Sequence, residues 1–266
     1  MKKLEEALVS MGKKKFDHPE DNAVHIIEVE PEAQKLIEDL QNYPHAYVFS
    51  CLMDRQISAK KAWEIPYKIK CSLKIKTFDI NELSKISKQE YIDLFTKEKL
   101  HRFCRGMAEI FYDGIQRIIT QYEGDASKIW SGEPSSSKVV YNFLQFNGCG
   151  IKIATMATNI LARQYRIKYS DYMSVDVSPD VHVRRTMTRL GLIPKNIKLS
   201  NGKDDINKIN ELIIYKAREI HPSYPGIIDY SLWNIGRDLC HPNNPDCAKC
   251  ELSMYCLYHK NNNCMV

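Results

Sequence analysis

Residues 143–161 read FLQFNGCGIKIATMATNIL, and the fold turns on how this stretch is parsed. An apolar helix end at 143–146 runs through Asn147 into Gly148 and Gly150 around a single residue, and a second apolar helix begins at once with Ile151. Glycines permit positive φ and close approach of another backbone, so the pattern predicts two helices joined by a tight turn. The first amides of the second helix would stand exposed at that turn. The helix dipole adds positive potential there, and the amides can receive a phosphate oxygen. Lys152 falls two residues beyond Gly150, so its amine projects towards whatever the turn grips. Taken alone, a G-x-G pair is equally an ordinary helix connection and the lysine a surface cation that meets phosphate.

Working outward, SGEPSSS (131–137) is a turn, and Ser136 or Ser137 can cap a helix through Val140 and Leu144. Helical spacing of Leu36, Ile37 and Leu40, and an apolar segment with Tyr47, Phe49 and Leu52 continuing after Pro44, predict two helices separated near Pro44. Further helices are expected over 58–69, 88–97 and 100–122, with Gly124 as a stop. Downstream the pattern predicts helices over 151–163, from Asp180 through Leu190, over 206–220 and over 227–239. Alternating runs are almost absent, although VHIIEV (24–29) could form a short extended piece. The fold is expected to be all-α without internal repeats. Residues 1–30, with a helix near 4–11, read as an N-terminal extension.

With 266 residues, 44% hydrophobic and 10% aromatic, the chain can bury a core and is not expected to be disordered. Its apolar runs fall far short of the roughly 18 residues of a membrane span. Glu5 and Glu6 interrupt what would have to be the apolar part of a secretory signal. These features predict a cytoplasmic or nuclear protein with no membrane partner. The net charge is only +5, but residues 138–198 hold five Lys and five Arg against Asp171, Asp176 and Asp180. That stretch carries +7 and the remainder −2, so a polyanion would meet the middle of the chain.

The cysteines carry a second signal. Cys240, Cys247, Cys250 and Cys256 crowd into CHPNNPDCAKCELSMYC, a C-x6-C-x2-C-x5-C spacing, whereas Cys51, Cys71, Cys104 and Cys149 are scattered and Cys264 is left over. Four soft ligands on one loop-rich segment suit iron–sulfur or zinc. Zinc ribbons usually pair two C-x2-C knuckles, and one such pair tilts the choice towards iron–sulfur without settling it.

This spacing resembles the iron–sulfur loop of the endonuclease III family of helix-hairpin-helix DNA glycosylases, and WNIGRDLC (233–240) resembles the helix that leads into it. The hairpin is similar to the family's L-P-G-V-G-x-K-T-A in Gly148, Gly150, Lys152 and Ala154, with Phe146 and Asn147 where Leu-Pro is usual. VDVSPDVHVRRTMTRLGL (175–192) resembles the family's V-D-x-H-V-x-R segment. The two-residue step to His182 selects Asp180 over Asp176, with an insertion expected in 169–177. Gln56, in CLMDRQISAKKAW (51–63), matches the glutamine of L-L-S-x-Q-x-T-D, while Met53, Asp54 and Arg55 replace small residues.

The resemblance spans about 31–256 and implies two lobes with double-stranded DNA between them. A six-helix barrel would cover 44–152, and an iron–sulfur lobe 31–43 and 153–266. It implies a 4Fe-4S cluster on the four cysteines, with DNA contacts from Gln56, Gly148, Gly150, His182, Arg185 and Lys249, and also near His241. In the family, the lysine at the position of Lys152 is the nucleophile of bifunctional glycosylase/lyases. Asp180 would take its proton and stabilise positive charge on the sugar; read locally, it is also simply a helix N-cap. A flipped-out damaged or mispaired base would be excised and the strand nicked by β-elimination through a Schiff base. A lysine needs desolvation or nearby cations to become an uncharged nucleophile, and the local basic excess fits that need. Two other readings stay open: a monofunctional glycosylase for mismatched or oxidised purines, and a non-catalytic DNA-binding iron–sulfur protein. Asp54 and Tyr172 are candidates for the base pocket, and a monomer is expected.

Overall fold

The structure is a computed structural model and describes residues 1–16, 27–171, 174–195, 197–198 and 203–263. In chain order the helices are α1 (Lys2–Phe16), α2 (Pro31–Glu38), α3 (Pro44–Met53), α4 (Ala59–Trp63), α5 (Ile65–Ser72), α6 (Ile80–Ser84) and α7 (Lys88–Lys97). They continue with α8 (Cys104–Tyr122), α9 (Ser136–Leu144), α10 (Ile151–Arg163), α11 (Val181–Leu190), α12 (Ile206–Ile220), α13 (Asp229–Asp238) and α14 (Leu257–Asn263). Among the described residues there is no strand, only one isolated bridge between Lys198 and Asp204. The all-α expectation holds. Of the extended piece foreseen at 24–29, the first three residues lie outside the described ones and the rest pair with no strand.

Local chemistry explains the helix ends. Ser87 and Glu90 form a reciprocal capping box that starts α7. Asp180 caps α11, and Gly191 ends it at φ 82°. The cap of α9 is Ser135, one residue before the expected pair, because its hydroxyl reaches the amide of Lys138 while Ser136 is buried. The helix expected over 58–69 is two helices meeting at Glu64, where Pro66 cannot donate into a continuing ladder. Helix α8 begins at Cys104 rather than near 100, and Glu123 takes the left-handed C-cap ahead of Gly124.

The chain forms two compact units, His25–Ser170 and Met1–Val24 with Asp171–Val266. In the first, α3 is buried along its whole length. Its Tyr47 ring meets Trp63, Trp130 and Tyr165 edge-on, and Phe49 lies 4.2 Å from Phe111. The Tyr47 hydroxyl donates to the carbonyl of Ala157 at 2.6 Å, tying α3 to α10. The core of the second unit gathers Leu4 and Leu8 of α1 with Val183, Met187, Ile213, Ile228 and Leu232.

This division differs from the expected lobes. Helices α2 and α10 belong with the barrel residues because both pack on α3. Helix α1, foreseen in an extension, is core material of the C-terminal unit. A Cβ on Gly12 would lie 2.1 Å from the carbonyl oxygen of Ile227, so only glycine allows that approach.

His45 is 2% exposed, stacks on Phe78 and donates from Nε2 to the Phe78 carbonyl at 2.6 Å. Burial, outweighing that hydrogen bond, lowers its pKa to about 4. The folded chain therefore keeps His45 neutral where the unfolded chain protonates it, below about pH 6.5. Its contribution is whole above that pH and is lost as pH falls towards 4, by about 3 kcal/mol in total. Urea titrations across this window should show a drop in stability that is smaller by that amount in His45→Gln.

Candidate functional site

The turn between α9 and α10 uses its two glycines differently. Gly148 sits at φ 77°, and a Cβ there would come within 2.5 Å of Ile110 Cδ1 and 3.2 Å of an Arg55 guanidinium nitrogen. Gly150 is the N-cap of α10 at φ −93°, and a Cβ on it would meet nothing within 4 Å. Among the described residues no side chain caps this helix. Phe146 and Asn147 hold the approach in place of Leu-Pro. The phenyl ring is buried in a stack on Tyr122, and the amide donates to Asp113 Oδ2 at 3.1 Å.

Lys152, in the first turn of α10, places Nζ 2.8 Å from Oδ2 of Asp54 and 3.7 Å from the sulfur of Met156. Asp54 is the C-cap of α3, its amide bonded to the carbonyl of Cys51, and its side chain is only 10% exposed against 34% for the lysine. Sequence reasoning expected cations around Lys152; the structure adds a carboxylate in contact with it. An amine so paired is an ammonium and has no lone pair to attack with. Two thiols stand nearby. Burial pushes Cys149, between the two glycines, up to about 12, and lifts that of Cys51 as well, so neither is ionised near neutral pH.

Two residues beyond Asp54, Gln56 is exposed in the left-handed region at φ 55°, and its carbonyl accepts from Arg102 at 3.4 Å. Arg102 lies over the ring of Phe103, which is 43% exposed. Sequence reasoning missed Arg102 and Phe103. An arginine and an aromatic residue at a helix start are too common to signal anything until the fold brings them to Gln56.

In the C-terminal unit, Asp180 Oδ1 accepts the amides of His182 and Val183, both at 2.8 Å. Asp176, which the spacing passes over for Asp180, forms a bidentate pair with Arg218 at 2.7 Å. Ser178 is fixed by its amide to the buried Asp229 at 2.7 Å. Arg185, expected at DNA, turns inward to the carbonyls of Cys240 and Gly236 and to His182 Nδ1. Arg189 donates to the carbonyls of His241 and Pro242, lies 3.3 Å from Cys240 Sγ and stacks over Tyr258. Lys249 pairs with Asp246 at 2.8 Å.

Cys240, Cys247, Cys250 and Cys256 line one cavity together with Arg189, Leu190 and Ile235. Burial raises the Cys247 thiol, and the neighbouring Cys256 and Cys240 raise it further, as expected where several thiolates would repel without cations between them. Among the described residues, no three Cys, His, Asp or Glu side chains are placed to hold a single metal ion. Nor, among them, is any helix long and apolar enough to cross a membrane. Tyr172 and Cys264 lie outside the described residues.

No protein-family model matches this chain, and no curated protein does. Solved structures do. A non-covalent endonuclease III–DNA complex aligns with a TM-score of 0.61 at 15% identity, covering 99% of this chain and 98% of the other. An endonuclease III trapped as a covalent intermediate with DNA aligns at 0.60 and 15%, covering 99% of each. A thermostable thymine-DNA glycosylase aligns at 0.60 and 14%, covering 97% and 98%. The chain has the endonuclease III-like helix-hairpin-helix glycosylase fold.

Proposed function

We propose that this chain, built on the endonuclease III fold, is a base-excision repair DNA glycosylase that also nicks the strand through a Schiff base on Lys152. The carrying observation is the hairpin. The N-terminus of α10 and the open side of Gly150 offer a phosphate site, and the amine of Lys152 rises from the same helical turn. Solved neighbours include a DNA glycosylase and an endonuclease captured covalently on DNA, which supports the same chemistry for a matching fold. Gln56, with Arg102 and Phe103 beside it, offers exposed polar and aromatic groups to the gap that a flipped nucleotide leaves. Asp180 keeps the role its sequence motif implies, stabilising positive charge on the sugar. The Arg185 guanidinium also reaches the carbonyls of Cys240, at the start of the cysteine loop, and Gly236.

The four cysteines fit a 4Fe-4S cluster. All four line one cavity, and four soft thiolates on one loop are the donor set such a cluster takes. When bound, such a cluster supplies structure to the loop at 240–256, and Arg189 beside Cys240 Sγ offsets thiolate charge. The protein is read as a monomer acting wherever DNA is.

The competing reading, a monofunctional glycosylase, is favoured by the ion pair that occupies Lys152. Duplexes carrying an oxidised pyrimidine, uracil, a mismatch or a preformed abasic site, treated with protein and borohydride, separate the two. A covalent adduct is the expected result. Base release without an adduct on any duplex would establish the monofunctional enzyme, and binding alone a non-catalytic protein.

A further inference from the structure

We propose that Asp54 is a catalytic residue, the base that takes the proton from Lys152 so that its amine can attack. The inference rests on the lysine reading above and divides the work there given to Asp180. Proton acceptance passes to Asp54, and stabilisation of the sugar cation stays with Asp180.

The pair joins residues 98 apart in sequence, the C-cap of one buried helix and the first turn of another, and Tyr47 bonds the two helices to each other. Its geometry is therefore set by the core of one unit. Of the titratable groups around the amine in that unit, Cys51 on α3 and Cys149 in the turn are held as thiols by burial. His101 is buried, its Nδ1 accepts the amide of Phe103 at 3.1 Å, and burial lowers its pKa. Arg55 is a cation beside Gly148 and cannot accept a proton. Of these, the Asp54 carboxylate is the acceptor in hydrogen-bond contact with the amine, at 2.8 Å.

In the free protein the partly exposed pair is ionic. Its carboxylate is already largely out of water, and a DNA strand seated on the hairpin would cover the exposed third of the lysine. Removing that water penalises two charges far more than two neutral groups. The proton then moves: one Nζ–H bond breaks and one Oδ2–H bond forms, leaving an amine and a carboxylic acid. The amine's lone pair forms the bond to C1′ while the C1′–base bond breaks, its electron pair leaving with the base. The proton held on Asp54 returns to that pair, directly or through water, so charge and atoms balance.

The test is single-turnover borohydride trapping on a preformed abasic duplex, from about pH 6 to about pH 10, with wild type, Asp54→Asn and Asp54→Glu. Asp54→Asn should slow trapping at neutral pH by about 100-fold or more. The deficit should shrink as pH approaches the lysine's own range, Asp54→Glu should recover part of the rate, and duplex affinity should change little. Trapping by Asp54→Asn at or above the wild-type rate would overturn the proposal, because the pair would then merely park the ammonium. A loss that is flat with pH and follows weakened DNA binding would overturn it too, since Asp54 would then only shape the loop. Asp54→Ser, with a small residue at that position, is the second variant should the amide fail to fold. If wild type itself forms no adduct, the lysine reading falls and this one with it, a failure visible before any variant is made.

Discussion

Replacing Lys152 is expected to remove covalent capture of DNA altogether. The proposed Schiff base requires a primary amine at the hairpin, and among the groups named around it in this unit Cys51 and Cys149 stay protonated and Arg55 is not a nucleophile. Loss of a covalent nucleophile typically costs 1,000-fold or much more in rate. Lys152→Ala also leaves Asp54, 10% exposed, without its cation, which destabilises the end of α3. Lys152→Gln is the cleaner variant, because its amide can still donate to Oδ2. Both should retain duplex affinity near wild type while borohydride adducts and strand nicking disappear. An adduct that survives in Lys152→Gln would move the nucleophile elsewhere in the chain.

The second large effect is expected from Cys256→Ser. Cys256 is the most buried of the four clustered cysteines, belongs to the core of the C-terminal unit, and directs its sulfur to the carbonyl of Arg189 at 3.3 Å. With four thiolates the purified protein should be brown and carry about four irons per chain, as the proposed cluster requires. The serine variant should lose iron and colour and unfold at a temperature at least 10 °C lower, since metal binding by a loop without its own core is folding free energy. Arg185 and Arg189 would then grip a loop with nothing inside it. Iron content together with thermal unfolding decides the matter. A colourless wild type containing zinc would replace the cluster, and a serine variant with full iron would remove Cys256 from the ligand set.

Much of the local structure around the candidate site was legible in residues 143–161 and 175–192. The helix boundaries of α7, α10 and α12 follow from capping residues and apolar spacing, and those signals act within one or two turns. Asp180 was readable as an N-cap for the same reason. Where local signals competed, the sequence misled by a residue or by a whole break. Three serines in a row offered three caps, and burial of Ser136 chose Ser135. Pro66 split a run that periodicity alone joined.

The long-range relations were not legible. Nothing in the motif around Arg185 says that α13 and the cysteine loop present carbonyls to its guanidinium across 51 and 55 positions. Helix α1 looks like an appendage until Gly12 meets Ile227. Asp54 looks like an altered pocket residue until Lys152 lies 2.8 Å away.

The sequence by itself determined an all-α chain, a glycine hairpin with a lysine in the next turn, a capped aspartate and four thiols on one loop. Each depends on backbone preference, capping or spacing within a few residues. Only the tertiary structure decided which charges meet, where the units divide, and that the lysine comes with a carboxylate partner. Those outcomes depend on which buried surfaces pack together, and α3, apolar on every side, carries no periodicity to say which neighbour its last residue will face.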